Sequence, residues 1–306
     1  MAFEELTPEI ACEVLSKADL HLVPADVRVE ARDERWVVRL PGRRLAWFAA
    51  SDQGVRRLKT ERRVLRLLHS RCTFGVPRVI LEDAAGEFDV RAMVAGDSDP
   101  WRVYADVRSS VKVATRIGTA VGEILAEQHS RIGFADVAGW LPRRPTWPES
   151  REWVRKRLAA VVNDPEMLAG ADAVMRAYED VRTLEPDCVL VHTDVGLHNL
   201  GIDPETHSVH GLFDYDGAAW ADRHHDFRYL VFDWERNDLL DAALSSYEPV
   251  VGHTIQRERV LLYNAACAVT FLAFRAGTKP EERSCGRTLA EDLRWSRLAI
   301  ARAIAP

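Results

Sequence analysis

The side chains best suited to chemistry in this sequence fall within residues 192–226. A short apolar run, residues 188–191, reads as a buried strand that leads into His192, Thr193 and Asp194 and on to Asn199. A second apolar stretch, residues 199–202, meets the turn residues Asp203 and Pro204, and a third, residues 209–213, ends at Asp214. A hairpin centred between Thr206 and His207 sets Asn199 opposite Asp214 at its open end. Asp194 lies five residues upstream, on the loop entering that same end. Hard oxygen donors of this kind suit Mg²⁺, which takes one or two carboxylates together with phosphate oxygens. A carboxylate left clear of the metal can accept a proton from a hydroxyl nucleophile. Those are the parts that phosphoryl transfer needs: a metal to neutralise the phosphates and a base to orient the nucleophile.

On these residues the chain resembles the aminoglycoside phosphotransferase family, a branch of the protein-kinase-like fold. The stretch 192–199, HTDVGLHN, is similar to the family's H-G-D-x-H-x-x-N loop. The stretch 211–226, GLFDYDGAAWADRHHD, is similar to its G-x-I-D-W segment with a trailing D-P-x-x-D. The stretch 35–41, RWVVRLP, resembles the strand-three segment of the macrolide phosphotransferases within the family. The resemblance runs from about residue 26 to residue 274. It implies an α+β, bilobal protein-kinase-like fold, with a small sheet-plus-helix N-terminal lobe and a larger, mainly helical C-terminal lobe. It also implies roles: Asp194 as catalytic base, Asn199 and Asp214 as Mg²⁺ ligands, and Arg39 as the strand-three cation on the nucleotide phosphates. Glu61 becomes the helix carboxylate that positions that cation, and Ala92, Met93 and Val94 the hinge whose backbone meets the nucleotide base. The implied reaction moves the γ-phosphoryl of ATP or GTP to a hydroxyl of an antibiotic-like or metabolite acceptor. Four departures stand out. Arg39 replaces a common Lys, and no glycine-rich loop occurs between Asp26 and Trp36. Thr193 replaces a small residue, and Arg223 replaces the Pro after Asp222.

The elements that must hold these residues are partly readable. Residues 55–69 read as a helix with Leu58, Leu65 and Leu68 on one face. Glu61 falls on that apolar stripe, where an unpaired carboxylate is costly, so it calls for a cation. Residues 35–40 read as a strand stopped by Pro41 and Gly42, with residues 27–31 as a hairpin partner. Residues 76–81 and 87–96 read as strands around a turn at 84–86. Beyond Gly96 the texture is helical, with helices expected at 115–129, near 153–162 and along 260–274. The expected division is therefore residues 1–96 as a nucleotide-binding lobe and residues 97–306 as a catalytic and acceptor-binding lobe.

Other side chains admit a plainer role. His192 is expected to tie the loop backbone, and Asp226 to accept hydrogen bonds that hold the loop. His198 either contacts substrate or caps the loop. Asp216 is open between a second metal, the substrate and no role. Two other functions compete. In a metal-dependent hydrolase, His192, Asp194, His198, His224, His225 and Asp226 would be ligands. That reading leaves Asn199, Asp214, Arg39 and Glu61 idle. In a pseudokinase-like module, nucleotide would bind without turnover.

Composition limits the alternatives. The 306 residues carry 41 Lys and Arg against 47 Asp and Glu, a net charge of −6, which disfavours a dedicated nucleic-acid binder. With 47% hydrophobic and 29% charged residues the chain is ordinary for a globular protein, so disorder is not expected. Five scattered cysteines, with no C-x-x-C pair, argue against a disulfide framework and for a cytoplasmic setting. No signal peptide is evident, and the greasiest stretch, 260–274, is too short to span a bilayer. The expected partners are a nucleotide and a small hydroxyl-bearing acceptor, without nucleic acid or membrane, for a monomer or homodimer.

Overall fold

The computed structural model describes residues 3–97, 99–232, 234–279, 281–284 and 286–304. Its chain divides into two compact units. The first comprises Met1–Ser98 with Leu200–Asp203 and His210–Asp216; the second comprises Asp99–Asn199, Pro204–Val209 and Gly217–Pro306.

The first unit is built on strand alternation. Helix α1 (Pro8–Ser16) precedes strands β1 (Arg28–Arg32), β2 (Arg35–Leu40) and β3 (Arg44–Ala49). Helix α2 (Asp52–Arg71) follows, capped by the Ser51 side chain, which accepts from the Gly54 N–H. Strands β4 (Arg78–Glu82) and β5 (Phe88–Ala92) complete an antiparallel sheet in the order β1-β2-β3-β5-β4. Val38, Ala46, Phe48 and Val90 point to one face and form a core with Ala11 and Leu15 of α1. The alternate residues carry the charge: Arg35 on β2, and Asp89 and Arg91 on β5, with Trp47 between them on β3. The turn joining β1 and β2 is only Asp33 and Glu34, since Arg32 pairs with Arg35.

Two sequence expectations change here. The RWVVRL segment is the second strand, not the third. The third is Arg44–Ala49, whose register sets Trp47, not a basic residue, opposite Asp89. The hairpin of Leu200–Ile202 and Val209–Leu212 also belongs with the first unit, although a cut near Gly96 assigned it to the second. Backbone bonds from Asp97 N to Ile202 O (2.7 Å) and from Ile202 N to Asp97 O (3.1 Å) fix it there. Gly211 permits the close approach on the other side, because a Cβ at that position would lie 1.9 Å from the Gly75 carbonyl oxygen.

The second unit is mainly helical. It contains α3 (Pro100–Ser109), α4 (Val111–Arg131), α5 (Phe134–Val137), α6 (Arg151–Leu158), α7 (Pro165–Glu179), α8 (Asp238–Val251), α9 (Arg257–Phe274) and α10 (Leu289–Ala303). An antiparallel pair of short strands, Cys188–Val191 and Ala219–Asp222, carries the chemistry-bearing loop. Helices α4 and α8 meet closely at Gly118 and Gly122, whose missing side chains face the carbonyls of Leu239 and Ala243. Helix α9 is buried along most of its length, from Tyr263 to Ala273, and packs with Trp295 of α10. Among the described residues, no helix is long and apolar enough to cross a membrane.

Candidate active site

In the second unit, the strand Cys188–Val191 delivers the chain to a loop pinned from below by one carboxylate. Asp226 accepts from the backbone N–H of His192 (3.0 Å) and of Thr193 (2.7 Å). From α4 it accepts the Gln128 amide (3.4 Å) and the His129 ring Nε2 (3.0 Å). Burial pushes the Asp226 carboxyl up, but His129, His192 and the Thr193 N–H outweigh it and hold the group below its ordinary range. His129 itself is pushed down by burial, which suits a neutral ring donating from Nε2 while Nδ1 accepts from the Tyr247 hydroxyl (2.9 Å). Thr193 has φ +77°, a conformation that favours glycine, and its hydroxyl donates to the Gly217 carbonyl (3.1 Å).

Asp194 emerges from this support half-exposed. Its Oδ2 accepts from Asn199 Nδ2 (2.9 Å) and from His198 Nε2 (3.1 Å), while its N–H donates to His192 Nδ1 (3.2 Å). Asn199 Nδ2 also reaches the Asp194 carbonyl (2.9 Å), which turns the amide oxygen of Asn199 away from Asp194. Asp194 is therefore held through one oxygen, and Oδ1 carries none of these bonds. Desolvation raises this carboxyl, yet His198, His192 and Arg228 together hold it well below the usual carboxylate range, so it is ionised at neutral pH. The His198 ring lies where a side chain at 196 would be. A Cβ on Gly196 would come within 2.5 Å of His198 Cε1.

In the first unit, Glu61 is buried on α2 and meets two guanidiniums. Arg91 NH1 stands 2.7 Å from Oε1 and Arg35 NH1 3.5 Å from Oε2. Arg91 is in turn bonded by Asp89 through Nε (2.6 Å) and NH2 (3.0 Å). Arg35 also bonds Asp216, as does Arg57 of α2. The expected Arg39–Glu61 pair is not formed. Arg39 is exposed and bonds Glu30 of β1 at 3.3 Å. Both arginines share one face of β2, but four residues of strand separate them by about 13 Å. Only Arg35, at the end of β2 paired with Ala49 just before α2, reaches Glu61. Sequence reasoning missed Arg35, Arg57 and Arg91; of these, Arg35 and Arg91 carried a signal, their period-2 placement on the charged sheet face.

Asp214 ends the hairpin with φ +70°, two residues before Asp216. In the segment Ala92, Met93 and Val94, two backbone groups are already engaged by Arg43. Met93 N–H donates to the Arg43 carbonyl (3.0 Å), and Val94 C=O accepts from the Arg43 guanidinium (2.9 Å). An amide oxygen and a carboxylate, the groups that Asn199 and Asp214 carry, are each of the donor type that a hard cation such as Mg²⁺ takes. The hydrolase reading fares worse. Among the described residues no group of three or more His, Cys, Asp and Glu side chains is arranged to hold a metal ion. His224 and His225 are committed elsewhere, to Asp222 (2.5 Å) and Arg228 (2.9 Å).

The sequence profile of the phosphotransferase enzyme family matches residues 24–259. The chain belongs to that family. It is a phosphotransferase with the aminoglycoside-phosphotransferase version of the protein-kinase-like fold. An aminoglycoside 2'-phosphotransferase-IIIa variant in complex with GDP is similar at TM-score 0.72 and 14% identity, covering 97% of this chain and 98% of that one. Macrolide 2'-phosphotransferase MphH from Brachybacterium faecium is similar at TM-score 0.63 and 16% identity, with 97% and 99% covered. The streptomycin–ATP ternary complex of APH(2″)-IIa is similar at TM-score 0.64 and 14% identity, again with 97% and 99% covered. A search of curated protein sequences found no match.

Proposed function

We propose that this phosphotransferase moves the γ-phosphoryl of ATP or GTP onto a hydroxyl of an antibiotic-like small molecule. The observation that carries the reading is the asymmetric hold on Asp194. Two N–H donors fix Oδ2 and leave Oδ1 to accept a proton. As the acceptor oxygen bonds to the γ-phosphorus, its proton passes to Asp194 Oδ1, and the bond to the β–γ bridging oxygen breaks. Asn199 and Asp214 would hold Mg²⁺, whose charge offsets that of the phosphates. Within the 92–94 segment, Met93 C=O and Val94 N–H remain for the nucleotide base, because Arg43 engages the other pair. The acceptor class follows the relatives, whose structures contain streptomycin or are macrolide enzymes.

A radiolabelled ATP and GTP assay against aminoglycoside and macrolide panels tests the reading. Asp194→Asn is expected to lower kcat by about 10²–10⁴-fold while nucleotide affinity stays within about threefold. Full activity in that variant would sink the mechanism. A pseudokinase-like reading draws on the two-residue Asp33-Glu34 turn, which has no glycines to cover phosphates. Calorimetric nucleotide binding without transfer to any acceptor would favour it.

A further inference from the structure

Asp216 is bonded through a single oxygen, Oδ2, by two guanidiniums from different elements, Arg35 of β2 and Arg57 of α2. Two cations drawn to one oxygen repel each other. Arg35 is 4% exposed, rests over the Trp47 ring at 4.6 Å, and keeps a buried Nε without a hydrogen-bond partner. Glu61 holds its other edge, and Arg91 holds Glu61 from behind. Arg57 is 28% exposed, and among the described residues its further carboxylate is the exposed Asp33 at 3.9 Å. The pair thus forms a preorganised anion site with spare donors, occupied by a protein carboxylate. That carboxylate lies two residues from Asp214, which we place on the metal that carries the phosphates.

We propose that Arg35 and Arg57 are the triphosphate-binding cations of this chain, and that Asp216 occupies them in the unliganded protein until nucleotide phosphates displace it. The inference rests on the phosphotransfer reading and supplies the cation that Arg39 does not. An Arg fork suits the task, since it can bond Glu61 on one edge and present its other edge to a phosphate.

The test is calorimetric binding of MgATP, MgGTP, adenosine and inorganic tripolyphosphate to the full chain and to Arg57→Gln, Arg35→Lys and Asp216→Asn. Arg57→Gln and Arg35→Lys are expected to weaken MgATP and MgGTP at least tenfold and to leave adenosine unchanged. Asp216→Asn is expected to tighten the nucleotides severalfold and to lower the Tm of the unliganded protein. Tripolyphosphate affinity should follow the same order as the nucleotides. Circular dichroism checks folding. If Arg35→Lys fails to fold, Arg57→Gln and Asp216→Asn decide, because both positions are partly exposed. Unchanged nucleotide affinity in Arg57→Gln, or weaker affinity in Asp216→Asn, overturns the inference; the latter places Asp216 on the metal instead. If the wild-type chain binds and transfers but the variants bind alike, only this inference falls. If the wild-type chain binds no nucleotide, the phosphotransfer reading falls with it.

Discussion

At the scale of single residues, the base is shaped by what is absent at position 196. The family pattern has an imidazole two residues after its Asp, where this chain has Gly196, and His198 stands two residues later instead. The His198 ring fills the space a Gly196 side chain would need and donates to Asp194 Oδ2. Gly196→Ala must therefore move the ring, while Asn199 keeps its own bond. One hydrogen bond to a charged group is worth about 1.5–3 kcal/mol at most, less at a half-exposed site. Gly196→Ala should thus lower kcat roughly 3–10-fold with little change in nucleotide KM. Steady-state kinetics that show a KM effect instead would place His198 against the nucleotide. Arg39→Gln gives the opposite expectation. Its exposed pair with Glu30 is worth about 0–1 kcal/mol, so nucleotide Kd and Tm should stay essentially unchanged, by calorimetry and thermal melting.

At the scale of elements, the support under the loop is worth more than any contact on top of it. Asp226 gathers four donors from the loop and α4, and an amide cannot accept at both ends. Asp226→Asn turns an N–H₂ toward existing N–H groups, so urea unfolding should show a loss of about 2–4 kcal/mol. Activity should fall with it, because the loop presents Asp194. Much of this element was legible from sequence because it is local: His192, Asp194 and Asn199 sit within eight residues, and the hairpin turn marks itself with Asp203 and Pro204. Glu61 was legible too, because helical period places it on the apolar stripe. Its partner was not. Period 2 puts Arg35 and Arg39 on one face of β2 and cannot say which lies beside α2; that depends on the pairing of Arg35 with Ala49. Strand β3 was missed because its residues 45–49 are apolar throughout and show no alternation, which leaves a short strand without a period of its own. Arg57 was invisible because its role exists only through partners far away in sequence.

At the scale of the molecule, acid should unfold this protein earlier than its carboxylates alone predict. Burial, with the Arg228 guanidinium beside it, pushes the His225 imidazole down to about 3, and burial lowers His129 in the same direction. The unfolded chain binds protons at these rings below about pH 6.5, whereas the folded chain refuses them. Their contribution to stability is therefore complete above about pH 6.5 and is lost as pH falls toward the folded values. Asp222 and Asp226 act lower down. Burial raises both, but His224 and Tyr263 outweigh it at Asp222, as the His129 and loop contacts do at Asp226. Their stabilisation is present above about pH 4 and is lost below it. His225 separates the two regimes. One proton is worth about 1.4 kcal/mol per pH unit, so its refusal to protonate costs about 2 kcal/mol between pH 6.5 and 5. His225→Phe keeps a ring to stack on Tyr263, 4.3 Å away, but removes the acceptor for Arg228. That variant should be less stable than wild type at pH 7, yet its unfolding free energy in urea should fall by about 2 kcal/mol less between pH 7 and 5. An unchanged pH slope would assign the early acid sensitivity to His129 instead, where Tyr247 and Asp226 enclose the ring.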